Sequence, residues 1–63
     1  MTIGQAARQA RRSQEWSQDY VGKLLGVSRQ TVISIEKGTS LPGFALAKKM
    51  SHTLGICLDS VTA

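Results

Sequence analysis

The chain has 63 residues, room for one small domain, read here over residues 1–63, and not for two. A single cysteine, Cys57, and a single histidine, His52, exclude an internal disulfide and a Cys/His zinc site, so neither common staple of a mini-protein is expected. Eight Lys and Arg against four Asp and Glu leave a net charge of +4, which favours a polyanionic partner, nucleic acid ahead of an anionic membrane surface.

Gly, Ser and Pro punctuate the chain at short intervals, and between them the apolar residues recur with helical period, which predicts an all-α chain of about five short helices. The first is predicted from Thr2 or Ile3 to Arg12. At 100° per residue Ile3, Ala7, Ala10 and Gln14 share one side, Arg8 and Arg12 project from the other, and Arg11 lies at the margin. Ser17 is a candidate cap for the second helix, with Trp16 before it and Val21 placed to form a hydrophobic staple; Gly26 ends that helix. Ser28, Val27 and Val32 repeat the device for the third helix, closed by Gly38. Tyr20 and Thr31 stand where a capping box needs Glu or Gln, so both boxes are incomplete.

Leu41-Pro42-Gly43 breaks the chain before a fourth helix, Phe44 to Leu54, whose Ala47, Met50, Ser51 and Leu54 line one face while Lys48 and Lys49 turn away. After Gly55, a last apolar patch of Ile56, Leu58 and Val61 surrounds a fifth, short helical turn starting near Leu58. This patch is expected to be incompletely covered by its own chain, and so to serve as a homodimer face. Apolar runs stay short, at most the four residues Phe44 to Ala47, which gives no membrane span and no signal core, so a cytoplasmic protein is expected. The four carboxylates Glu15, Asp19, Glu36 and Asp59 are scattered, and neither Cys57 nor His52 has an obvious catalytic partner. Neither an enzyme nor a bound cofactor is expected.

From Gln18 to Lys37 two short helices meet at the tight turn Leu25-Gly26-Val27-Ser28. Val21, Leu25, Val27, Val32 and Ile35 supply the inner faces, Gly22 is small where the helices meet, and Gly26 supplies a left-handed corner. This is a helix-turn-helix pattern, although a helical hairpin in a plain bundle satisfies the same positions. The stretch Trp16 to Gly38, with its Ser28-Arg29-Gln30-Thr31 run and its Ile35-Glu36-Lys37-Gly38 close, resembles the Cro and lambda-repressor type helix-turn-helix family, also called the xenobiotic-response-element family. The resemblance extends from Ile3–Arg12 to the Gly55–Asp59 close and implies a compact five-helix DNA-binding domain. Tyr20, Gly22 and Ile33 depart from the family's usual Glu, Ala and polar residue.

The third helix also speaks for itself. Val32 and Ile35 point inward, which leaves Arg29, Gln30, Ile33, Ser34 and Lys37 on the outward face. Gln pairs bidentately with adenine and Arg with guanine in the major groove, Ile33 suits a thymine methyl, and Ser34 serves as donor or acceptor. A solvated face is the bland alternative for Arg29 and Gln30, and an ordinary exposed apolar residue is the alternative for Ile33. By the resemblance, Ser28, Arg29, Gln30 and Ser34 match positions that reach bases or adjacent phosphates. Gln18, in the first turn of the second helix, matches a phosphate-contacting Gln, and Lys37, Thr39 and the backbone near Gly43 and Phe44 grip the other strand. The resemblance also sets Arg11 against Glu36 as a structural ion pair.

Trp16, Tyr20 and Phe44 are read as staple and core residues, Cys57 as a small packed hydrophobe and His52 as a surface residue. The leading expectation is a transcriptional regulator, a repressor by preference, bound as a homodimer to double-stranded DNA with two-fold symmetry. The alternative is an antitoxin-like interaction protein whose main task is to hold a partner protein. An RNA or membrane-surface binder acting by charge alone has no need of Gln30 and Ser34 projecting together.

Overall fold

The computed structural model describes residues 1–61. Four α-helices follow one another: α1 Ile3–Ser13, α2 Gln18–Leu25, α3 Arg29–Lys37 and α4 Phe44–Leu54. The expected fifth helix is instead a single 3-10 turn, Leu58–Ser60. Its end is closed by one Val61 N–H donating to the Leu58 carbonyl at 3.5 Å, and no side chain caps its start. Three residues held by such a bond are too few to nucleate an α-helix.

The first three helices each begin at a side chain that satisfies one of the free N–H groups, while α4 starts after Gly43 without a side-chain cap. Thr2 caps α1, and here the capping box is complete: the Thr2 hydroxyl accepts from Gln5 N–H at 3.1 Å while Gln5 Oε1 accepts from Thr2 N–H at 2.9 Å. Ser17 caps α2 by accepting from Tyr20 N–H at 3.0 Å, and Ser28 caps α3 by accepting from Thr31 N–H at 3.1 Å. The Thr31 hydroxyl lies 2.9 Å from that of Ser28, which links the two side chains but leaves the capping box incomplete as expected. Between α2 and α3 the chain reverses through Gly26, whose φ of 74° lies in the left-handed region that side chains with a Cβ disfavour.

α3 is the central element, packed on α1 and α2, while α4 closes the other side against the same two helices. Ile3, Ala6, Ala7, Val21, Leu25, Val32, Ile35, Met50 and Ile56 form the core, with Trp16 and Val27 packed on it from the two caps. Burying a Val, Ile, Leu or Met side chain contributes about 1.5–3 kcal/mol, so few can be spared in so short a chain. The inward positions expected on α2 and α3 are those found. On α1 the close approach is to α3, at Gly4, where a Cβ would sit 2.2 Å from the Ile35 carbonyl oxygen.

Five expectations are corrected. Gln14 does not join the apolar side of α1: it is the exposed C-cap, and Glu15, with φ of 60°, turns the chain away. Ile56 is only 6% exposed, because the turn at Gly55 folds it back into the core and Ser51 holds its carbonyl with a 2.6 Å hydrogen bond. Cys57, next along the chain, is consequently turned outward and exposed. Phe44 is 80% exposed, because at the first position of α4 it shares the outer face with Lys48, whose ammonium lies 5.9 Å from the ring centroid. Tyr20 is also exposed, with its ring 5.5 Å from that of Trp16, while His52 lies on the surface as expected.

Candidate nucleic-acid interface

The surface around the start of α2 and the outer side of α3 is organised by one carboxylate. Glu36 Oε2 accepts from Arg11 Nε at 2.8 Å, and Oε1 accepts from Arg11 Nη2 at 3.1 Å, a bidentate pair. Arg11 Nη1 donates in turn to the Trp16 carbonyl at 2.9 Å, and Gln18 Nε2 to Glu36 Oε1 at 3.4 Å. One guanidinium thus ties α1 to the turn before α2 and to α3. The hydrogen bonds that Arg11 donates to Glu36, and the negative charge of that carboxylate, raise the Arg11 pKa above its ordinary value against the cost of partial burial, so Arg11 stays charged.

This network positions Gln18 rather than leaving its side chain loose. One amide N–H is committed to Glu36, which leaves the second available, together with the N–H groups of Gln18 and Asp19, since the Ser17 cap takes that of Tyr20. On α3, Arg29, Gln30 and Lys37 are exposed, while Ile33 and Ser34 are half-buried. Ser28 is exposed and committed to its cap. Thr39 is committed as well: its hydroxyl and its N–H both donate to the Ser34 carbonyl, at 3.2 and 3.0 Å, and so close the end of α3.

Of the eight residues singled out from the sequence, Gln18, Arg29, Ile33 and Lys37 line one open cleft of about 610 Å³. Gln30 rides on the same helix, in its first turn beside Arg29, and Ser28, Ser34 and Thr39 support the helix ends. Sequence reasoning did not assign Arg8 and Arg12 to this place, yet both line the far wall of the cleft together with Arg11. Their spacing of four residues was the available signal, since it puts both on one side of α1. Five cations against two carboxylates, Asp19 and Glu36, give this cleft three of the chain's four net positive charges. Among the described residues no cluster of His, Cys, Asp or Glu could hold a metal ion, and no helix is long and apolar enough to cross a membrane.

Such a surface combines a positive trough with the free N–H groups of a helix start and a row of polar side chains on a rigid helix. The trough and helix start suit an anionic backbone, the row suits base edges. Comparison with known proteins is consistent with that chemistry. Residues 8–60 match a family model described as helix-turn-helix. An uncharacterized HTH-type transcriptional regulator of Methanocaldococcus jannaschii is 42% identical over 45 residues, covering 71% of this chain and 68% of the relative. The Bacillus subtilis HTH-type transcriptional regulator YgzD is 39% identical over 46 residues, 73% of this chain and 70% of its own. A third HTH-type transcriptional regulator, from Methanothermobacter thermautotrophicus, is 35% identical over 48 residues, 76% and 70% of the two chains.

Proposed function

The chain belongs to the helix-turn-helix family of Cro and lambda-repressor type, and from that premise we propose that it is a sequence-specific DNA-binding transcriptional regulator, acting as a repressor by occupying its operator. The observation that carries this reading is the outer side of α3, where Arg29, Gln30 and Lys37 stand exposed beside the basic cleft and the start of α2. In this reading α3 enters the major groove. Arg29, Gln30, Ile33 and Ser34 meet base edges, while Gln18, Lys37 and the capped ends at Ser28 and Thr39 lie against phosphates. Residues 1–63 act as a single DNA-binding unit, and two copies bind a two-fold site.

Selection of bound duplexes from a random DNA pool tests the proposal. Enrichment of a motif with two-fold symmetry is the expected outcome. A second reading, in which the chain chiefly holds a partner protein, draws on Leu41 and Phe44, which are 62% and 80% exposed and do not line the cleft. Absence of any enriched motif would favour that reading over sequence-specific regulation.

A further inference from the structure

The cleft has two walls, and only one of them is made by the helix-turn-helix. Arg29, Ile33 and Lys37 of α3 with Ser17, Gln18 and Asp19 of α2 form the first; Arg8, Arg11 and Arg12 of α1 form the second. Arg11 is occupied by Glu36, and Asp19 has Lys23 at 3.5 Å. Among the described residues, the side chains of Arg8 and Arg12 make neither an ion pair nor a hydrogen bond. Both also border a second, shallower depression with Gln5 and Gln9 on the outer side of α1, so they stand on the ridge between the two hollows. Four residues of helix separate their Cα atoms by about 6 Å along the axis, which sets the two guanidinium groups side by side on one face of α1.

We infer that Arg8 and Arg12 clamp the phosphate backbone of the duplex on α1, next to the contacts made by α2 and α3, and so extend the footprint past the bases that α3 reads. The inference rests on the DNA-binding reading above. Two like charges held beside a basic cleft, with no carboxylate paired to either, raise the local positive potential, which a polyanion crossing the cleft relieves. Neither side chain is part of the core, so their contribution belongs to binding and not to folding. Because phosphates lie on every sequence, the clamp adds affinity without adding sequence preference.

The test compares the parent with an Arg8→Gln/Arg12→Gln double variant on 30-base-pair duplexes, one carrying the enriched motif and one scrambled. The double variant should fold and melt like the parent. Its slope of log affinity against log salt should be shallower by about 1.8 per subunit on both duplexes, at roughly 0.9 per phosphate. Between 50 and 200 mM salt it should therefore lose about twelvefold less affinity per subunit than the parent. Arg8→Lys/Arg12→Lys, which keeps both charges, should restore the parental slope. Neutral methylphosphonate links placed one at a time outside the motif should weaken the parent at particular positions and leave the double variant indifferent there. An unchanged slope, or an unchanged response to the neutral links, overturns the clamp while leaving the DNA-binding reading standing. Failure of the parent to bind either duplex overturns the DNA-binding reading itself, and the clamp with it.

Discussion

Glu36 gathers two donors from Arg11 and one from Gln18 on a side chain that is 5% exposed, against 13% for its Arg11 partner. Breaking such a pair from one side leaves a desolvated charge without compensation, so Glu36→Gln should destabilise the protein by about 3 kcal/mol, more than 10 °C in Tm for a domain of this size. Thermal unfolding followed by circular dichroism measures it, and a shift under about 2 °C would show that the pair contributes nothing. Gly4→Ala should destabilise by about 1–3 kcal/mol, since a new Cβ 2.2 Å from the Ile35 carbonyl oxygen forces α1 away from α3. A parental melting temperature for that variant would contradict the close approach. The Arg11–Glu36 pair was legible in the sequence because both residues sit at the edges of apolar stripes in a chain with a family resemblance. Gly4 was not, because periodicity says which side of α1 faces inward and nothing of how close α3 comes. Phe44 was misplaced by its chemistry: an aromatic suggests core, but the four-residue step to Lys48 already puts it on the outer side of α4.

α3 divides its two tasks between opposite sides. Val32 and Ile35 hold it in place, and truncating Ile35 to Ala should cost about 2–5 kcal/mol, measurable by denaturant or heat; a variant as stable as its parent would mean the inner side was misassigned. On the proposed reading, the outer side separates base readers from phosphate binders. Gln30→Ala should lose about 1–3 kcal/mol on the preferred duplex and little on a scrambled one, because a base-edge contact exists only where the right base is present. Lys37→Ala should weaken both duplexes alike and flatten the salt dependence by roughly one unit per subunit. Titrations at several salt concentrations distinguish the two, and equal losses on both duplexes would remove Gln30 from the reading set. The split between buried Val32 and Ile35 and exposed Arg29, Gln30 and Lys37 was readable from a helical wheel, and so were the caps at Ser17 and Ser28. The cap at Thr2 was equally available in the Thr2 and Gln5 spacing, but α1 had been anchored on its apolar stripe instead. The final turn failed as a helix for a reason composition does not display: too few consecutive i to i+4 bonds form after Gly55 among the described residues.

At the scale of the whole molecule, the described residues measure 25 × 21 × 19 Å, with positive charge gathered on the cleft side. Successive exposures of the major groove on one side of DNA recur about every 34 Å, farther than one copy spans, so a two-fold operator requires two copies. The sequence pointed to Ile56, Leu58 and Val61 as their meeting face, but Ile56 is already committed to the core of its own chain. Leu58 and Val61, half-buried and packed against the same core, are what is left of the proposed face, beside the exposed Cys57. An interface with so little apolar surface per copy should be weak in free solution and should form chiefly on DNA, where binding beside an occupied half-site raises the effective concentration. Sedimentation across micromolar concentrations should then show monomer alone and two copies on a duplex with two half-sites. Inserting about five base pairs between the half-sites turns the second onto the opposite side of the helix and should abolish the cooperativity while leaving each half-site's own affinity unchanged. One copy per two-site duplex at saturation, or cooperativity indifferent to the insertion, would remove the two-fold model and leave each helix-turn-helix binding by itself.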